Sequence, residues 1–174
     1  MTTDEYLRMP ETVAPQELVY GFVREAPGPS PGHQSVVGEL FVCLRAHLNE
    51  QGIGRVWMAP IDVVLDRDLV VQPDLIVVGN ERLSIVRDRV WGAPDLVVEV
   101  MCPRPRIGPL EERLGWFAKY GVRECWLAMP DRRQLDVIGF ANGAIEWRRR
   151  FGSHEVVESA VLRALNVTAQ SLGI

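Results

Sequence analysis

The sequence predicts an α/β (α+β) fold, a central mixed β-sheet flanked by helices, built as a single domain over residues 1–174. Three observations predict it. Residues 33–52, "HQSVVGELFVCLRAHLNEQG", carry apolar side chains at helical spacing. Residues 54–101 break into β-branched runs separated by turn residues, and a second helix-periodic segment at 106–120 precedes three more strand-like runs. Helix, strands, helix, strands is the order of packed α and β layers around one core.

Each element follows from local pattern. Thr3 before "DEYLRM" reads as the cap of a short helix. "ELVYGFVRE" at 17–25 has apolar residues on both sides of Gly21, a hairpin pattern, and "APGPSPG" at 26–32 is a rigid loop. In the long helix Val36 or Val37, Leu40, Leu44 and Leu48 share one stripe, and Gly52 suits the C-terminal stop. "GRVWMAP", "IDVVLD", "LVVQPDLIVV" and, after an arginine-rich link at 79–93, "DLVVEVM" read as strands of one sheet, apolar enough to be buried on both faces. Ile107, Leu110, Leu114 and Phe117 stripe the second helix, which Gly121 ends. "VRECWLAMP", "QLDVIGF" and "AIEWRRRFG" then read as three strands, with "PDRR" and "ANG" as turns and "NVTAQSLGI" as a short closing helix.

Composition narrows the function. The chain is 47% hydrophobic and 24% charged, as in ordinary globular domains. It has no apolar run of the ~20 residues a membrane helix needs and no basic-then-apolar leader, so a cytoplasmic protein without membrane attachment is expected. Cys43, Cys102 and Cys125 are odd in number and widely spaced, which points to reduced thiols and no zinc site. A net charge of −4 does not attract a polyanion. A nucleic-acid partner therefore needs a local basic surface or a bound cation that reverses the sign of the site.

The chemistry concentrates in two acids. Asp74 follows Pro73 at the entry to an apolar strand, and Glu99 lies inside another about 25 residues later. Alternation sets Asp95, Val97, Glu99 and Met101 on one face. An unpaired carboxylate there carries a large desolvation cost, so an arginine or a metal must meet it. Two strand-borne carboxylates converging on one point suit Mg²⁺ or Mn²⁺ and metal-assisted phosphodiester hydrolysis. An arginine-paired Glu beside a turn-forming Asp is the other reading, and the pattern leaves both open.

At these residues the chain resembles a known family. "VVQPDLIVV", "APDLVVEVMCP" and "GVRECWLAMPDRRQLDVI", with "EYLRMP" and "HQSVVGELFVCLRAHL" before them, are similar to the Uma-type family of restriction-endonuclease relatives with the PD-(D/E)xK signature. The resemblance implies a restriction-endonuclease-like fold and a Mg²⁺- or Mn²⁺-dependent endonuclease acting on DNA. It makes Asp74 and Glu99 the metal ligands, and it matches Glu17 to an acid of the N-terminal strand that reaches the same pocket. His33 matches a family histidine that orients a water or phosphate; a helix-start cap is the competing reading.

The signature lysine is missing. The position two after Glu99 is Met101, and the family's helix lysine corresponds to Arg113; the family's "SPS" becomes Cys102, Pro103 and Arg104, its helix aspartate Pro109 and its helix tyrosine Phe117. A lysine whose pKa is lowered can give up its proton and help generate a nucleophile, whereas a guanidinium stays protonated. Lys119, the one lysine, is about 240° round the helix from 113 and does not substitute. The expectation is metal binding with slow cleavage or none, and a catalytically inactive DNA-binding or dimeric module is the alternative. Cutting both strands favours a homodimer.

Two further candidates carry bland alternatives. Cys102 with His33 as base would make a thiol enzyme, although no feature of the sequence visibly lowers the cysteine's pKa. Arg104, Arg106 and the "WRRRF" run could contact phosphates, whereas Arg148 and Arg150 on one face and Arg149 on the other also describe a solvated edge strand. Trp57, Trp126 and Trp147 read as core or interface residues, and Cys43 and Cys125 as buried small apolar groups.

Overall fold

A computed structural model describes residues 1–10, 12, 14–101 and 108–174. Helix α1 (Thr3–Tyr6) opens the chain with a reciprocal capping box between Thr2 and Glu5, so the cap is Thr2 and not Thr3. Strands β1 (Gln16–Val19) and β2 (Phe22–Glu25) form the expected hairpin. Tyr20 and Gly21 both adopt left-handed φ, 48° and 85°, as the two-residue turn between right-twisted strands requires. Helix α2 (Pro31–Gln51) starts where the Ser30 side chain accepts the His33 N–H and stops at Gly52, φ 63°. Its stripe of Val36, Val37, Leu40, Leu44 and Leu48 is buried as the spacing predicts.

The strands β3 (Gly54–Met58), β4 (Val63–Asp66), β5 (Leu69–Val71), β6 (Leu75–Gly79), β7 (Val90–Trp91) and β8 (Leu96–Val100) do not form one sheet. Joined by β9 (Glu124–Met129), β10 (Gln134–Ala141) and β11 (Ala144–Gly152), they divide into two mixed sheets, ordered β2-β1-β5-β4-β7 and β11-β10-β9-β8-β6-β3. The expectation of one central sheet is corrected here. "LVVQPDLIVV" is two strands in different sheets, broken at Gln72, Pro73 and Asp74. Proline has no N–H for a ladder, so this is where the chain leaves one sheet for the other.

Helix α3 (Leu110–Tyr120) begins four residues later than 106, with Pro109 as its cap residue and Gly121 as its left-handed stop. Ile107 lies outside the described residues. β8, α3 and β9 form a βαβ unit, since β8 and β9 pair in parallel. The layers then follow. Leu18, Val64 and Val70 pack under Tyr6 on the outer face of the smaller sheet. Its inner face, including Val19, Val63, Leu69 and Val71, meets Leu114 and Phe117 of α3 and Ile76, Val97, Cys125 and Leu127 of the larger sheet. The far face of the larger sheet packs on α2.

Two fully buried acids outside the cleft, Glu124 and Asp136, hold this frame together. Glu124 accepts Trp126 Nε1 at 2.8 Å, Ser159 Oγ at 2.5 Å and the Ala160 N–H at 2.8 Å, which ties the C-terminal segment to β9. Asp136 is gripped by Arg148 and Arg150 of edge strand β11, while Arg149 on the opposite face pairs with Glu158. The alternation read from "WRRRF" is thus correct, and the arginines on both faces carry intramolecular ion pairs. Trp126 is core, and the Trp147 indole lies against Gly139. The closing segment forms a short 3-10 turn at Gln170–Leu172. No helix among the described residues is long and apolar enough to cross a membrane.

Candidate active site

The register of the larger sheet brings the two acids together. β6 and β8 run antiparallel with Leu75 opposite Val98, and continuing by one residue sets Asp74 across from Glu99. Ile76 and Val97 point into the core between the sheets, so the two-residue alternation of a strand places Asp74 and Glu99 on that same side. From the other sheet, Glu17 shares the inner face of β1 with Val19. Three acids from three strands therefore converge on one end of the interface between sheets.

Arg113 of α3 enters among them. Its Nε donates to Glu99 Oε1 at 2.6 Å and its Nη1 to Glu17 Oε2 at 2.7 Å, and its guanidinium lies 5.6 Å from the centroid of the Phe117 ring one turn on. Glu17, wholly buried, also accepts the Gln72 N–H at 2.6 Å through Oε1. Asp74 Oδ2 accepts the Val100 N–H at 2.8 Å, and Asp74 Oδ1 lies 3.0 Å from His33 Nε2. The structure thus brings together Asp74, Glu99, Glu17, His33 and Arg113. His33 does not cap α2 with its side chain, because Ser30 does; its ring turns inward to Asp74.

The electrostatics follow from burial and crowding. Desolvation pushes the Glu99 carboxyl up to about 7, and the nearby charges of Asp74 and Glu17 push the same way. Arg113 opposes that shift without cancelling it. The guanidinium is in turn held firmly protonated by Glu99 and Glu17, against the desolvation that disfavours its charge. Arg113 therefore neutralises the acids and does not titrate.

Asp74, Glu99 and Arg113 line a cleft of about 760 Å³. A polar cluster absent from the sequence-based site set lines it too: Asp62, Gln72 and Arg89. Its signal was the arginine-rich link, which alone does not tell Arg89 from Arg82, a partner of Asp95 outside the cleft. Asp95, the second "PDL" aspartate, binds Arg82, Arg123 and the Gly79 N–H at the far end of the antiparallel ladder. The two look-alike strands consequently place one aspartate in the cleft and the other in a structural lock.

Lys119 contacts Tyr120 and does not line the cleft. Cys43 and Cys125 have thiols pushed up by burial, the pattern of inert side chains. Cys102, Arg104 and Arg106, weighed above as nucleophile and phosphate contacts, lie outside the described residues. Among the described residues no group of three or more His, Cys, Asp or Glu is arranged to hold a metal. The chemistry of the acid pair nevertheless fits a hard divalent cation. Carboxylate oxygens are its preferred donors, Mg²⁺ fills the rest of its shell with water, and a carboxyl raised by burial and by like charges gains from a cation beside it.

Two mixed sheets flanked by helices, with an acidic cleft between them, place the molecule in the class of nuclease-fold α+β domains. A solved protein of Anabaena variabilis, described as "a putative nuclease belonging to DUF820", has the same fold at a TM-score of 0.84. It is 21% identical, and the likeness covers 99% of this chain and 97% of that one. Over residues 3–170 the sequence matches the family model described as "Uma2: Putative restriction endonuclease", and the chain belongs to that family. No curated protein matches.

Proposed function

We propose that the protein is a divalent-metal-dependent DNA endonuclease, slowed by the arginine that replaces the signature lysine. The observation that carries this reading is the facing of Asp74 and Glu99 across adjacent strands within one cleft. Asp74 and Glu99 would hold Mg²⁺ or Mn²⁺. A cation there would supply Lewis acidity toward a phosphate oxygen and lower the pKa of a water, so that loss of a proton yields the hydroxide that attacks phosphorus. The protein's own groups do the rest. The Val100 N–H fixes one oxygen of Asp74 and His33 the other, so this carboxylate is oriented before substrate arrives. Arg113, anchored by Glu17, places a permanent positive charge beside Glu99 and stabilises negative charge developing on phosphate. It cannot accept a proton from the attacking water, which is the step a lysine at this position would assist.

The same ion pairs support a second reading. A guanidinium satisfied by two carboxylates is the arrangement of a neutralised site, and the protein would then bind DNA or a second copy of itself without hydrolysis. Incubation of purified protein with supercoiled plasmid and Mn²⁺ separates the two. Slow nicking that disappears in Asp74→Asn supports the endonuclease, whereas salt-sensitive binding without nicking supports the non-catalytic module. Cleavage of both strands is easiest with two sites, which favours a homodimer as the working form; light scattering at twice the 19.6 kDa chain mass is the expected result.

A further inference from the structure

A DNA strand entering this cleft meets a charge problem. Asp62, Asp74, Asp88 and Glu99 line it, and among the described lining residues the cations are Arg89 and Arg113. Arg113 is 8% exposed and two of its nitrogens are engaged by Glu17 and Glu99. Arg89 differs. Its side chain is 39% exposed, and among the described residues its Nη1 donates only to the neighbouring Asp88 carbonyl at 2.9 Å. Its Nε lies 2.9 Å from Asp62 Oδ2 but is buried and makes no hydrogen bond among the described residues. The carboxylate thus holds the guanidinium by charge while most of the donor fork stays unspent.

The arginine is also tied to the acid site. Asp62 Oδ1 accepts Gln72 Nε2 at 2.8 Å, and the Gln72 N–H donates to Glu17, which grips Arg113. Gln72 stands two residues before Asp74. The neighbouring arginines of the link are spent elsewhere: Arg82 on Asp95 and the Ala93 carbonyl, Arg87 on the Ser84 carbonyl.

Resting on the DNA reading of the cleft, we infer that Arg89 binds a phosphate flanking the scissile one, and that Asp62 is the positioning residue for its guanidinium. A planar fork with free donors matches two phosphate oxygens at once. Phosphate contacts of this kind set register on a strand without reading its sequence.

The test is DNA binding by the full chain, measured by anisotropy of a fluorescein-labelled duplex in EDTA, so that cleavage is not required. Arg89→Gln keeps an amide to meet Asp62 and removes the charge; Arg89→Lys restores charge without the fork. At about 100 mM salt Arg89→Gln is expected to bind roughly tenfold more weakly, with the log K against log salt slope shallower by about 0.9, the signature of one lost phosphate contact. Arg89→Lys recovers the slope. Asp62→Asn retains the slope and weakens binding by a smaller factor. A folded Arg89→Gln protein with unchanged affinity and slope overturns the inference, as does absence of any DNA binding by the parent protein. Binding that depends on Arg89 in a protein that never nicks plasmid leaves the inference standing and removes only the hydrolytic reading.

Discussion

Arg113 donates to Glu99 across 2.6 Å, from a helix between two sheets to a carboxylate on the inner face of one of them. Burial has removed water from both groups, so neither side chain can lose its partner cheaply. Replacing Arg113 with Met leaves Glu17 and Glu99 buried without their cation, and breaking such a pair costs about 3–5 kcal/mol. Urea unfolding should show that loss. Arg113→Lys keeps a charge but cannot fork between two acids. It is expected to be destabilised by less and to nick plasmid at least about tenfold faster in Mn²⁺, a fraction of the roughly 100-fold or more that a well-placed general base contributes. Equal or lower activity in a folded Arg113→Lys protein would show that the arginine is not what limits the rate.

The Glu99 carboxyl titrates near 7 in the folded protein, against 4.5 for an ordinary glutamate. The folded state therefore binds this proton more tightly than the unfolded chain does. The contribution to stability is complete below pH 4.5 and is lost as pH climbs through 7. Thermal melts should show Tm falling between pH 5 and 8, with a flatter profile in Glu99→Gln. Millimolar Mn²⁺ should offset the loss at pH 8, since a cation favours the ionised carboxylate.

His33 lies against Asp74 with its side chain 1% exposed, so it acts on this carboxylate before it could act on any substrate. His33→Gln is expected to weaken Mn²⁺ affinity about 10- to 100-fold, the usual cost of losing a group that orients a metal ligand. Calorimetric titration at fixed pH reads it directly.

Gly139 is filled by its neighbour. A Cβ at that position would overlap the Trp147 indole, so Gly139→Ala must displace the indole from β11. A cost of about 1–3 kcal/mol is expected, the range for overpacking, with Trp fluorescence shifted in the native state. Metal affinity should not change, because Trp147 packs with the core on the α2 side of the larger sheet, whereas Asp74 and Glu99 face its other side.

Much of this was legible in the sequence. The buried stripe of α2, the 17–25 hairpin and the last three strands each rest on local periodicity and turn chemistry. The division into two sheets was not legible, because the inner strands of both sheets, such as β5, β6 and β8, are buried on both faces and read as the same apolar runs. Only Pro73 marks the break, and a single proline does not say which sheet each half joins. In the site, Asp74 and Glu99 stood out as acids set in apolar strands, and the family resemblance brought Glu17, His33 and Arg113 to them. The geometry added what spacing cannot carry: Arg113 spans two acids from different sheets, and Arg89 reaches the cleft from a loop whose other arginines do not.

The central claim is that Asp74 and Glu99 share one divalent cation. Anomalous scattering from a crystal soaked in Mn²⁺ tests it most directly. The account predicts a single strong peak within carboxylate coordination distance, about 2.0–2.2 Å, of both side chains, absent in Asp74→Asn. A fully soaked crystal with no peak there, or with Arg113 still closing the space between Glu17 and Glu99, would contradict it.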